Sequence, residues 1–164
     1  HLVPRPRAHR RPDDPHPDWV SSLPTTIRKV PANSVVTISI EQEDGASGLR
    51  NPYWGKAQGI IGGTFHMSYF DDAGAPQVAD FSSIDASTLA HSFAIPDLGV
   101  FVPLQGIADA APAGSHNEIT FSFKTGSAGV FRWQCFLPCG AGSIHGNGNA
   151  MSTFGSSADL LVGQ

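Results

Sequence analysis

Glu118-Ile-Thr-Phe-Ser-Phe123 alternates polar and apolar side chains, and Gly129-Val-Phe-Arg-Trp-Gln-Cys135 does so again beyond a turn at Gly126. Successive side chains of a strand point to opposite faces, so this period of two predicts a pair of antiparallel strands with one buried face. Upstream, Ser34-Val-Val-Thr-Ile-Ser-Ile40 is a β-branched run ended by the turn-rich Glu43 to Gly48, which predicts a further strand. A glycine-rich connection over 51–63, containing Tyr53 and Trp54, leads into Thr64-Phe-His-Met-Ser-Tyr-Phe70, whose alternating large side chains suit a half-buried strand. Asp71, Asp72 and Gly74 then turn the chain. Residues 86–95 lead through His91 to a short strand punctuated by Pro96-Asp97-Leu98-Gly99, and 108–116 reads as a loop. Downstream of Cys135 lies a long glycine-rich loop, then a last strand candidate over 157–162. Neither an internal repeat nor a helix longer than a turn or two is evident, and the expected fold class is all-β, a sandwich with long loops.

Composition agrees with this reading. The chain has 164 residues, one domain's worth, with 18 glycines and 13 prolines but only 15% charged residues, a balance suited to short strands and turns. Residues 1–18 are rich in Pro, Arg, His and Asp and carry too little apolar surface to offset the entropy of ordering, so they read as a disordered tail ahead of a domain over 19–164. The first five residues, His-Leu-Val-Pro-Arg, look like the end of a histidine tag with a thrombin site, which leaves room for a removed N-terminal signal or membrane anchor. The net charge is −4, yet Arg5, Arg7, Arg10 and Arg11 lie at the start, so the remainder is acidic. That argues against nucleic-acid binding. An acidic surface would steer a basic partner such as a small cytochrome, or simply keep the protein soluble. No apolar run approaches the ~20 residues of a membrane span, so no membrane contact is expected of the chain itself.

Chemistry concentrates near the C-terminus. Cys135 and Cys139 flank Phe-Leu-Pro at the end of a predicted strand, and His145 and Met151 follow on the same loop. Thiolate, imidazole and thioether donors together select copper over hard cations, and a His, Cys and weak Met set is the composition of electron-transfer copper sites. The cysteines alone would read as a small disulfide. Gly140, Gly142, Gly146 and Gly148 would let the loop wrap an ion. Zinc competes for Cys and His, but leaves Met151 without a role. His66, among large side chains on a strand, reads as a satisfied half-buried residue, and His116 as a solvated loop residue. Trp133, two residues before Cys135 on one strand, is expected on the same face as Cys135, either as an ordinary core tryptophan or as a point of electron entry. Ser/His/Asp order, phosphate loop and carboxylate pair all lack a persuasive context, so hydrolysis and phosphoryl transfer have no residues to carry them.

His91-Ser-Phe-Ala-Ile-Pro-Asp-Leu-Gly-Val100, followed by Gly129 to Cys135, Cys139-Gly140, His145 and Met151, resembles the copper domain of cytochrome oxidase subunit II, a member of the cupredoxin family. The resemblance covers roughly residues 60–162. It implies a Greek-key cupredoxin sandwich holding a binuclear copper (CuA-like) centre, with His91, Cys135, Cys139, His145 and Met151 as ligands and the carbonyl of Leu137 as a sixth contact. This chain departs from the family in three places. The gaps from Cys139 to His145 and from His145 to Met151 are five residues each, where the family has three and two, and this opens a mononuclear alternative in which Cys135 joins His91, His145 and Met151. The glutamate the family places between its cysteines is Leu137 here, which argues against an ordinary oxidase subunit. Tryptophans that receive electrons from cytochrome c in the family are missing from the corresponding Phe65-His-Met-Ser-Tyr69.

The resulting expectation is an extracytoplasmic copper protein, periplasmic, cell-surface or secreted, that passes single electrons without turning over a substrate, holds one or two copper ions, and works with a redox partner such as a cytochrome or terminal oxidase. Alternatives are a mononuclear blue or red cupredoxin, a copper storage or delivery protein using the same residues, and a component of an oxidase or reductase whose catalytic centre lies on another subunit.

Overall fold

Alternation along the chain becomes a set of short antiparallel strands. The computed structural model describes residues 28–137 with their side chains and, outside that range, the backbone of three strands: β1 (Val3–Pro6), β2 (Val20–Leu23) and β11 (Leu160–Gly163). Between them run β3 (Arg28–Val30), β4 (Val35–Gln42), β5 (Phe65–Phe70), β6 (Pro76–Phe81), β7 (Leu89–Ile95), β8 (Val100–Gln105), β9 (Asn117–Lys124) and β10 (Phe131–Arg132). Among the described residues helix is confined to four 3₁₀ turns, at Pro52–Gly55, Ile61–Gly63, Ala86–Thr88 and Pro96–Leu98. None of these is long and apolar enough to cross a membrane. Strand β1, inside the segment expected as a tail, pairs antiparallel with β2.

One layer is the antiparallel sheet β4-β9-β5-β6. Its register sets Ile40 opposite Ile119 and Met67 opposite the same Ile119, while Phe65 faces Phe81. Alternate residues of β9, namely Asn117, Ile119, Phe121 and Phe123, are buried, and those between them are part-exposed, as the period of two requires. The solvent face carries hydroxyl ladders such as Thr37 with Ser122 and Ser39 with Thr120.

The opposing layer is the β7-β8 hairpin, widened by one bridge on each side: Ala94 pairs with Gln134, and Phe101 with Gln58. The hairpin turns at Pro96–Leu98, where Gly99 closes the turn in the left-handed region at φ 65°. The neighbouring bridge depends on Gly59, at φ 68°, because a β-carbon there would strike the Gly99 carbonyl. Phe93, Ile95, Val100, Val102 and Leu104 of this layer meet Ile40, Phe65, Met67, Ile119, Phe121 and Phe123 of the other in one apolar core. A second, smaller cluster gathers Ala86, Leu89, Cys135 and Leu137 with Leu49, Trp54 and Ile84.

The expected strand over 129–135 is shorter than its alternation suggested. Phe131 and Arg132 pair with β11, which itself runs parallel to β3, and Gln134 then pairs with β7. Trp133 and Cys135 are both buried, as the alternation requires, but they join different clusters. Trp133 enters the main core, stacked on Phe93 at 5.6 Å, and Cys135 enters the second cluster. This is the core position of the two readings offered for Trp133.

Ile119 sits at the centre of the four-stranded sheet with no exposure. Ile119→Ala is therefore expected to lower unfolding free energy by about 2–5 kcal/mol, read from urea denaturation, with the denaturant slope unchanged.

Candidate metal centre

Strand β7 is buried along all seven residues, so its polar side chains must find partners inside the protein. His91 and Ser92 do so together. The Nδ1 of His91 lies 3.9 Å from the Sγ of Cys135, which stands 44 residues further along the chain. The opposite ring nitrogen, Nε2, donates to the Asp44 carboxylate across 2.6 Å. Ser92 donates its backbone N–H to the same sulfur at 3.2 Å, and its hydroxyl lies 3.8 Å away.

The position of the sulfur follows from strand pairing. Ala94 and Gln134 exchange two backbone hydrogen bonds, and in that register the next rung would join Ser92 to Phe136. Side chains take that rung instead. The Ser92 amide goes to Cys135 Sγ, and the Phe136 amide donates to Ser92 Oγ at 2.9 Å. The Leu137 carbonyl oxygen is 3.9 Å from the same sulfur.

Cys135 is a buried thiol at 1% exposure, and Leu137 is fully buried. Phe136 between them turns outward, its ring 6.0 Å from Trp54. For His91, burial favours the neutral ring, but hydrogen bonds to Asp44 and Cys135 and the negative charges of those partners outweigh it and push the pKa up to about 9.

Of the six residues read from the sequence as metal contacts, the structure brings together His91, Cys135 and Leu137. Cys139, His145 and Met151 lie outside the described residues. Among the described residues no group of three or more His, Cys, Asp or Glu side chains is placed to hold a metal ion. The donors that are described suit a soft first-row ion in kind and in spacing. Nitrogen and sulfur bound to one such ion at roughly 2.0–2.3 Å are at most about 4.4 Å apart, and 3.9 Å is within that bound. An amide N–H aimed at the sulfur favours the thiolate form that a metal requires.

Sequence reasoning missed two participants. Asp44 stands in a Glu-Gln-Glu-Asp-Gly run that reads as a strand terminator, with no local sign of its partner. Ser92 was legible only as the neighbour of His91. His66, expected half-buried, is instead exposed and pairs with Asp80 at 2.8 Å, and His116 is exposed in its loop as expected. The whole chain matches no protein-family model, no curated protein and no solved structure.

The His91–Asp44 pairing carries a pH signature. The folded-state pKa of about 9 is above the ordinary 6.5, so its stabilisation is complete below pH 6.5 and is lost as pH rises through 9. In metal-free buffer Asp44→Asn is expected to lower the melting temperature most near pH 6 and least near pH 10, measured by circular dichroism. A deficit that stays constant or grows with pH contradicts this account.

Proposed function

We propose that this chain is a copper-binding electron carrier, a cupredoxin-like Greek-key sandwich whose centre is built from His91, Cys135, the Leu137 carbonyl, Cys139, His145 and Met151. The observation that carries the reading is the meeting of His91 Nδ1 and Cys135 Sγ, two donors remote in sequence and buried at one end of β7. Bound copper would supply one-electron chemistry by cycling between two oxidation states, with thiolate and imidazole donors setting which state is favoured. The protein's own contribution is rigidity. Donors held by strand pairing and by hydrogen bonds move little when charge changes, and small reorganisation is what a carrier needs. Enzymatic turnover is not part of this proposal.

The longer gaps before His145 and Met151 favour a mononuclear site as the second reading, with Cys139 outside it. In either form we place the protein outside the cytoplasm, anchored or secreted, exchanging electrons with a cytochrome or terminal oxidase.

Titration of the purified chain with copper under reducing, then oxidising, conditions tests this directly. Visible absorption from thiolate-to-copper charge transfer is expected in the wild type and absent in Cys135→Ser. Electron paramagnetic resonance then reads the nuclearity, since splitting from two copper nuclei marks the binuclear form and from one the mononuclear form. A protein that stays colourless with Cys135 and Cys139 joined in a disulfide defeats the proposal.

A further inference from the structure

We infer that Asp44 is a positioning residue for the proposed copper centre: its carboxylate takes the Nε2–H of His91 and so presents Nδ1, oriented toward the Cys135 sulfur, as the nitrogen that faces the ion. This rests on the reading of His91 and Cys135 as ligands, and deepens it by naming the group that decides which ring nitrogen is offered.

An ionised carboxylate only accepts hydrogen bonds, so at 2.6 Å from Asp44 the Nε2 of His91 must carry the proton. In the neutral ring the lone pair is then on Nδ1, the atom 3.9 Å from Cys135 Sγ. A carboxylate behind an imidazole also makes it a stronger donor, and metal-binding histidines commonly carry such a partner on their second nitrogen.

The loop holding Asp44 is fastened on both sides. The Asp44 carbonyl accepts from the Ile107 amide at 2.9 Å and from the Gln42 side-chain amide at 3.0 Å. Three residues on, Ser47 donates both its amide, at 2.6 Å, and its hydroxyl, at 2.7 Å, to the Leu89 carbonyl at the start of β7. Gly106 allows this approach, for a β-carbon there would sit 2.6 Å from the Ala46 nitrogen and 2.8 Å from the Gly45 carbonyl carbon. The carboxylate is thus tied to the same strand that carries His91, and its side chain is only 19% exposed. A rim charge making an incidental contact would have neither the anchoring nor the burial.

The test compares wild type, Asp44→Ala, Asp44→Asn and Gly106→Ala. Copper affinity is measured by competition with a chelator, and reduction potential by redox titration of the copper-loaded protein. The His91 ring nitrogens are followed by nitrogen-15 magnetic resonance without copper. Asp44→Ala is expected to weaken copper binding roughly 10–100-fold, to raise the reduction potential by making His91 a poorer donor to the oxidised ion, and to shift the Nε2 resonance. Asp44→Asn keeps the shape and an acceptor but loses the charge, and should fall between Asp44→Ala and wild type. Gly106→Ala, which displaces the loop while leaving the carboxylate, should weaken binding in the same direction.

A purely structural role for Asp44 would lower the melting temperature and shift the Nε2 resonance while leaving copper affinity and reduction potential in place. Wild-type affinity and potential in Asp44→Asn and Asp44→Ala overturn the inference while leaving the copper reading intact. A wild type that binds no copper, yet whose Nε2 resonance moves in Asp44→Ala, overturns the copper reading and this role with it, and leaves only a structural ion pair.

Discussion

One rung of β pairing decides how the buried end of β7 is arranged. Past the Ala94–Gln134 bridge the backbone ladder gives way to side chains: the Ser92 amide bonds to the Cys135 sulfur, and the Phe136 amide to the Ser92 hydroxyl. Leaving the buried Ser92 amide unpaired would cost about 1–3 kcal/mol, and the sulfur supplies its acceptor while the hydroxyl serves the part-buried Phe136 amide. The substitution has a chemical by-product. It holds a thiol against the strand next to an imidazole on that same strand.

Much of the scaffold was legible because it obeys the period of two. The expected strands over 34–40, 64–70 and 118–123 correspond to Val35–Gln42, Phe65–Phe70 and Asn117–Lys124, displaced by one or two residues at their ends. Strands β6 and β8 were not legible. Pro76-Gln-Val-Ala-Asp-Phe81 lies at the sheet edge, exposed along much of its length, so burial imposes only a weak pattern on it. Val100 to Gln105 is buried almost throughout and therefore does not alternate, and Pro103 interrupts it. Over 129–135 burial alternates as expected, but regular strand pairing is confined to Phe131 and Arg132 because the segment then changes its pairing partner.

The candidate site divides along similar lines. Local pattern singled out Cys135, while His91 and the Leu137 carbonyl entered only through the family resemblance. The contact of His91 with Cys135 across 44 residues is a product of topology. Asp44 left no local trace: a carboxylate after a strand looks like any turn residue, and its meaning arises only where the loop after β4 is fastened between Leu89 and Ile107.

Burial explains why these polar groups belong together rather than apart. His91 and Cys135 sit among Leu89, Leu137 and their neighbours, surroundings in which an isolated charge is strongly disfavoured. A thiol alone there would stay protonated, and an imidazole alone would stay neutral. Side by side, with Asp44 behind the ring and an amide in front of the sulfur, each lowers the cost of charge on the other. Asp44 and Cys135 together favour the charged imidazole, and that is why burial fails to hold the His91 pKa down. A cation between nitrogen and sulfur, as proposed, would meet the same partners, with Asp44 behind the ring and the Ser92 amide at the sulfur. What the structure establishes at this end of the sandwich is a buried imidazole held between a carboxylate and a sulfur, surroundings that favour positive charge on the ring.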